Sequence, residues 1–225
     1  LRIDDCKKSK KNVSNCAEYE TIELSFHFSP NMYFLNETIS SIPSYFALLQ
    51  PMLTILSATN RLNSQTARFS EIYTQIAANE GVQYSFESLT DLPDASIGDF
   101  IYRKGDNPFR SYAHKIFDTH PKILVIVPEY NASIPGILKL VIDCADPEIF
   151  KNKRIALTGI ASGRGGNIRG LNHLTEIFHY LKAEVYSNKL PISMIRSLLD
   201  ENMNLRDEHT LRSMQQQLHS FVHHF

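Results

Sequence analysis

From Met52 onward, the apolar positions of the chain alternate between two rhythms. Short unbroken runs of aliphatic and β-branched residues predict strands over 52–57, 81–86, 122–128, 154–161 and 183–187. Between them, apolar residues recur every three or four positions. This spacing predicts helices over 64–79, 135–145, 166–182 and 207–223, with a loop and a short helix reaching to about 119. The runs Ile123–Val127 and Ile155–Ile160 are apolar at nearly every position, the mark of strands buried on both faces. Strands alternating with helices predict an α/β fold whose parallel sheet carries helices on both faces. Five strands in this rhythm fit a doubly wound sheet of order 2-1-3-4-5, with a ligand crevice at the carboxyl ends of its strands.

The first 51 residues follow neither rhythm and carry the basic cluster Lys7-Lys8-Ser9-Lys10-Lys11. Met52 directly precedes the first strand, and the remaining 174 residues (225 − 51) make a comfortable single domain. The expectation is that 1–51 stands outside the functional fold, as an over-extended reading frame with translation starting at Met52. The alternative is a partner-binding or targeting arm.

Composition narrows the partners. A formal net charge of −1 gives no electrostatic reason to expect nucleic acid. No apolar run approaches the roughly 18 residues of a membrane span. Three cysteines, Cys6, Cys16 and Cys144, make no disulfide framework in a chain of this length and fit a reducing compartment, so a cytoplasmic location is expected.

Two loops carry the chemistry. After the first strand come Ser57, Thr59, Arg61, Ser64, Gln65 and Thr66, with a helix opening near Ser64. A helix start offers unpaired N–H groups and a partial positive charge to a phosphate; hydroxyls and an arginine can add to it. The Gly-Lys-Ser/Thr ending of a nucleoside-triphosphatase loop is absent, as are the three glycines of a dinucleotide fingerprint, so a monophosphate fits better. After the third strand come Pro128, Glu129, Tyr130 and Asn131, where Tyr130 can present its ring to a planar heterocycle and backbone N–H groups of 129–131 can donate to it. A third turn, Ser162-Gly163-Arg164-Gly165-Gly166-Asn167, follows the fourth strand, and its glycines permit close approach of backbone to a ligand.

At these residues the chain resembles the NAD(P)H-dependent FMN reductases, the flavodoxin-like group that includes quinone, azo-dye and chromate reductases. The resemblance runs from Met52 to about Leu190, and Pro128–Lys139 is its most specific stretch. It implies Thr59, Arg61, Ser64, Gln65 and Thr66 as ligands of the FMN phosphate, with Glu129, Tyr130 and Asn131 on the isoalloxazine ring. Ser162, Gly163 and Gly166 would close the far side of that ring. Ala58 and Ala132 stand where the family often has glycine. The implied activity is hydride transfer from NADPH or NADH to flavin N5, then reduction of a quinone-like or other small acceptor in a ping-pong cycle. No protein acid or base is required for it, so no catalytic side chain is nominated. A homodimer or homotetramer is implied by the resemblance alone.

Two rival readings share the sheet. A flavodoxin-type electron carrier tends to be acidic around its flavin, against which Arg61, Arg164 and Arg169 speak. A phosphoacceptor signalling domain needs adjacent acidic residues where this chain has Ser57-Ala58-Thr59. No metal site is expected either: His219 and His223 sit at i, i+4 with no third ligand in view, and read as a solvated helix face. His173 with Glu176 reads as a solvent-facing pair, Cys144 as a core thiol, and Met194, Ile195, Leu198 and Leu199 as a packing face or subunit contact.

Overall fold

The computed structural model describes residues 53–93 and 108–225; the predicted extension 1–51 lies outside the described residues. The elements in order are β1 (Leu53–Ser57), α1 (Gln65–Asn79), β2 (Tyr84–Ser88), α2 (Pro108–Phe117), β3 (Lys122–Pro128), α3 (Gly136–Cys144), β4 (Arg154–Ile160), α4 (Ile168–Tyr180), β5 (Glu184–Val185), β6 (Leu190–Ile192), α5 (Ile195–Leu198) and α6 (Glu208–His224). All strand pairs are parallel, in the order β2-β1-β3-β4-β5, the flavodoxin-like order expected from the alternation. No helix among the described residues is long and apolar enough to cross a membrane.

Side-chain alternation along the strands feeds two cores, one on each face of the sheet. Ile123, Val125 and Val127 pack with Ile155 and Leu157 beneath α2, α3 and α4, where Phe117, Phe150 and Phe178 form an aromatic cluster. Leu124 and Ile126 face the other way, against Phe69, Tyr73 and Ile76 of α1 and Met214, Leu218 and Phe221 of α6. Every residue of β1 and β3 is buried.

Boundaries move where backbone caps consume residues. The second strand starts at Tyr84 rather than 81 because Gly81 adopts φ 69° and Val82 N–H closes onto Ala77 carbonyl, a Schellman ending for α1. The same device stops α4 at Tyr180, with Lys182 at φ 64° and Ala183 N–H bonded to Phe178 carbonyl.

The predicted strand 183–187 is replaced by two short ones, β5 pairing Arg154–Ile155 and β6 pairing Thr158–Ile160. Gln217 of α6 fills the break between them. Its Nε2 donates to the carbonyls of Leu157 and Asn188, at 3.1 and 2.9 Å, so a side chain replaces the missing ladder bond. Its Oε1 accepts from Tyr73 Oη at 2.6 Å and from Thr158 Oγ1 at 2.8 Å. Burial pushes the Tyr73 hydroxyl well above its usual range, which keeps it a donor.

Gln217→Ala leaves two hydroxyls and two carbonyls of a fully buried group without their partner, and should cost about 2–4 kcal/mol. Urea unfolding checks this; a loss under about 1 kcal/mol would mean the network contributes little.

Candidate functional site

Helix α1 starts where it does because Ser64 caps it: its Oγ accepts from Ala67 N–H at 3.1 Å, with extended backbone at the cap. Of the first four N–H groups, Ala67's goes to that hydroxyl and Arg68's to Ser64 carbonyl, leaving those of Gln65 and Thr66 for a ligand. No acidic residue stands in the first turn to neutralise the helix dipole.

A cleft of about 290 Å³ opens at this helix start, on the carboxyl ends of β1, β3 and β4. Thr59, Arg61, Ser64, Gln65, Thr66, Pro128, Glu129, Tyr130 and Ser162, each singled out from sequence, line it together. The first and second loops also touch directly. Tyr130 Oη lies 3.2 Å from Thr59 Oγ1, which accepts from Arg61 N–H at 3.2 Å, and the Arg61 guanidinium sits 4.2 Å from the centre of the Tyr130 ring.

Four of the expected residues stand apart from the lining. Ser57 is wholly buried at the end of β1, its hydroxyl without a partner among the described residues. Asn131 is exposed at the tip of a two-residue turn, with Ala132, at φ 52° and 60°. In that turn Tyr130 and Ser133 exchange both backbone hydrogen bonds at 3.0 Å, the pattern of a type I′ hairpin. Asparagine tolerates this conformation, whereas alanine there costs about 1 kcal/mol that the expected glycine would not. Gly163, next to the lining residue Ser162, lies where a Cβ would meet nothing within 4 Å. Gly166, at φ 57°, approaches the chain itself: a Cβ would fall 2.7 Å from Pro191 of β6.

Two of the three platform N–H groups expected to reach a ligand are committed elsewhere. Glu129 N–H donates to Ile160 carbonyl and Tyr130 N–H to Ser133 carbonyl, so the turn tip keeps the free donors. Ala58 N–H likewise bonds Ile126 carbonyl at 2.8 Å, and its backbone needs no glycine.

Asn167 escaped the sequence reading as a site residue. It is fully buried at φ 62°, caps α4 through Oδ1 to Gly170 N–H, and donates from Nδ2 to Val127 carbonyl at 3.1 Å. It thereby ties the glycine turn to the end of β3. An asparagine directly after a glycine run is the one signal the sequence offers. Ile195 and Arg196 of α5 also line the cleft. Sequence spacing places Ile195 on a packing face or subunit contact and assigns Arg196 no role, because nothing local shows that α5 lies beside the cleft. Arg196 is exposed and has no carboxylate partner among the described residues.

Other expectations shift. His173 bonds Ser133 Oγ through Nδ1 at 2.8 Å instead of pairing with Glu176 in solvent, so it props the platform hairpin. Burial, then the Asp143 charge, pushes the Cys144 thiol up, which disfavours the reactive thiolate. A larger cavity of about 420 Å³ between the ends of α3 and α4, lined by Ile142, Pro147, Ile177, Tyr180 and Leu181, lies at the opposite end of the sheet.

The fold is shared with the flavoenzyme NAD(P)H:(acceptor) oxidoreductase FerB from Paracoccus denitrificans (TM-score 0.60, 21% identity, covering 76% of this chain and 94% of that one). It is also shared with an NADH:FMN oxidoreductase solved in its apo form (TM-score 0.59, 16% identity, 75% and 87% covered). In sequence, the chain is 34% identical over 100 residues to an NAD(P)H-dependent FMN reductase of Pseudomonas aeruginosa, over 43% of this chain and 54% of that protein. It is 29% identical over 111 residues to a 2-hydroxy-1,4-benzoquinone reductase from a Burkholderia species, over 47% and 60%. The chain thus spans little more than half the length of these curated relatives. The family profile described as NADPH-dependent FMN reductase matches residues 51–195, well over half of the chain, and the protein belongs to that family.

Proposed function

We propose that the protein is an FMN-dependent oxidoreductase that takes reducing equivalents from NADPH or NADH and passes them to a quinone-like or similarly small acceptor. The observation that carries this reading is the meeting, in one cleft, of an uncapped-by-acid helix start and an aromatic turn. The N–H groups of Gln65 and Thr66, the hydroxyls of Thr59, Ser64 and Thr66, and Arg61 form a cradle for a phosphate monoester. Tyr130 and the hairpin tip at Asn131 flank the place for a planar ring, and Ser162 with Gly163 borders it from the β4 side. Ser57 and Gly166 support the cradle and the glycine turn from beneath.

The redox chemistry would come from FMN held in this cleft, whose ring could take up a hydride and return electrons to a second substrate. The chain's own residues bind, orient and polarise. Arg61, stacked on Tyr130, and Arg196 on the facing wall place positive charge around the anionic ligand. The open face of the cleft leaves room for nicotinamide and acceptor in turn. The positive rim favours an enzyme over the flavodoxin-type carrier. In this reading the flavin domain runs from Met52 to the end of α6, outside which residues 1–51 lie, and it works in the cytoplasm as a homodimer or homotetramer.

Two outcomes are expected. With FMN bound, anaerobic NADPH or NADH bleaches the flavin band near ~450 nm, and a benzoquinone restores it. A bound flavin that stays oxidised would instead favour the carrier, and a protein that takes up no FMN would overturn both readings. Arg196→Met should weaken FMN about tenfold while leaving riboflavin, which lacks the phosphate, unchanged, as equilibrium titration would show. Equal effects on both flavins would remove Arg196 from phosphate recognition.

A further inference from the structure

The fold supplies what the His219–His223 pair lacked in sequence. Glu80, the residue that ends α1, is brought against α6, with its Oε2 3.3 Å from His219 Nδ1. One ligand atom each from Glu80, His219 and His223 lies within 4.8 Å of the others. We propose that these three side chains form a binding site for a divalent transition-metal ion of the zinc class, pinning the last turns of α6 to the end of α1.

Geometry and chemistry agree on this. A tetrahedral zinc with bonds of about 2.0–2.1 Å sets its ligand atoms about 3.3–3.4 Å apart, which is the Glu80–His219 separation. His219 and His223, four residues apart, share one helix face, and their rings lie 4.7 Å apart between centres. Bringing the third atom to a common centre needs only side-chain rotation. Two imidazoles and one carboxylate form a set suited to zinc, nickel or copper rather than to magnesium or calcium.

The scaffold beneath is rigid. Glu80 N–H is anchored to the carbonyls of Ile76 and Ala78, and α1 is joined to α6 by the Tyr73–Gln217 hydrogen bond, about two turns before Glu80 on α1 and just before His219 on α6. The ligands therefore meet without folding of a new segment. They are half-exposed, with 25% and 56% of the side chains of Glu80 and His219 open to solvent, so an ion enters directly and keeps water in its fourth position. His224, whose ring lies 5.7 Å from that of His219, borders the same spot. The role is structural: the site lies at the far end of α1 from the cleft, so the ion takes no part in flavin chemistry.

The test is a calorimetric titration of the chelator-treated full chain with Zn2+ alone, read beside thermal unfolding. The site predicts one zinc per chain and a rise in melting temperature that a chelator reverses. Glu80→Gln and His223→Gln, both at the surface, should each weaken zinc by about tenfold or more while leaving FMN uptake unchanged. Zinc bound equally well by both variants, or no stoichiometric zinc at all, would overturn the proposal.

Discussion

Parallel ladder hydrogen bonds continue past the ends of three strands, and this continuation places everything in the cleft. Ala58 N–H still bonds Ile126 carbonyl, Glu129 N–H bonds Ile160 carbonyl, and Ala161 N–H bonds Ile192 carbonyl. Each loop therefore leaves the sheet one residue beyond its strand, with the direction of departure set by its neighbour. Since β1, β3 and β4 are adjacent, the loops that follow them have nowhere to open but onto one crevice. The apolar runs that bury these strands on both faces are thus also what aligns the site.

Smaller devices then fix what the ladder leaves free. Ser64 decides where α1 begins and so which N–H groups remain exposed. Asn167 holds the glycine turn to Val127, while Gly159 permits that turn to lie on β4, since a Cβ there would sit 2.2 Å from Gly166 carbonyl. On the other side of the sheet, Gln217 fills the break between β5 and β6, and α5, which follows β6, carries Arg196 to the cleft wall. Polar groups with every partner satisfied set these positions; the apolar core sets only the layers.

The layers were legible because burial on two faces leaves an unmistakable apolar run, and β3 falls on 122–128 as expected. The strand order followed from the alternation, and the shared cleft from the loops' places after strands one, three and four. Details set by long-range side-chain bonds were not legible. Nothing local marks Gln217 as the plug of a strand break or Arg196 as a cleft residue, and Glu80 meets His219 across 139 positions of sequence. Backbone bonding is equally hidden from a motif: the N–H groups of Glu129 and Tyr130 look available in the sequence but are spent within the fold.

In the proposed function, three separate loops form one flavin site. Backbone amide NMR of the labelled protein during titration with FMN tests it most directly. A single site predicts shifts that saturate together at one equivalent in Thr59–Thr66, Glu129–Ala132 and Ser162–Gly165. Shifts confined to a single loop, or gathered instead around Ile142, Ile177 and Tyr180 at the opposite end of the sheet, would contradict it.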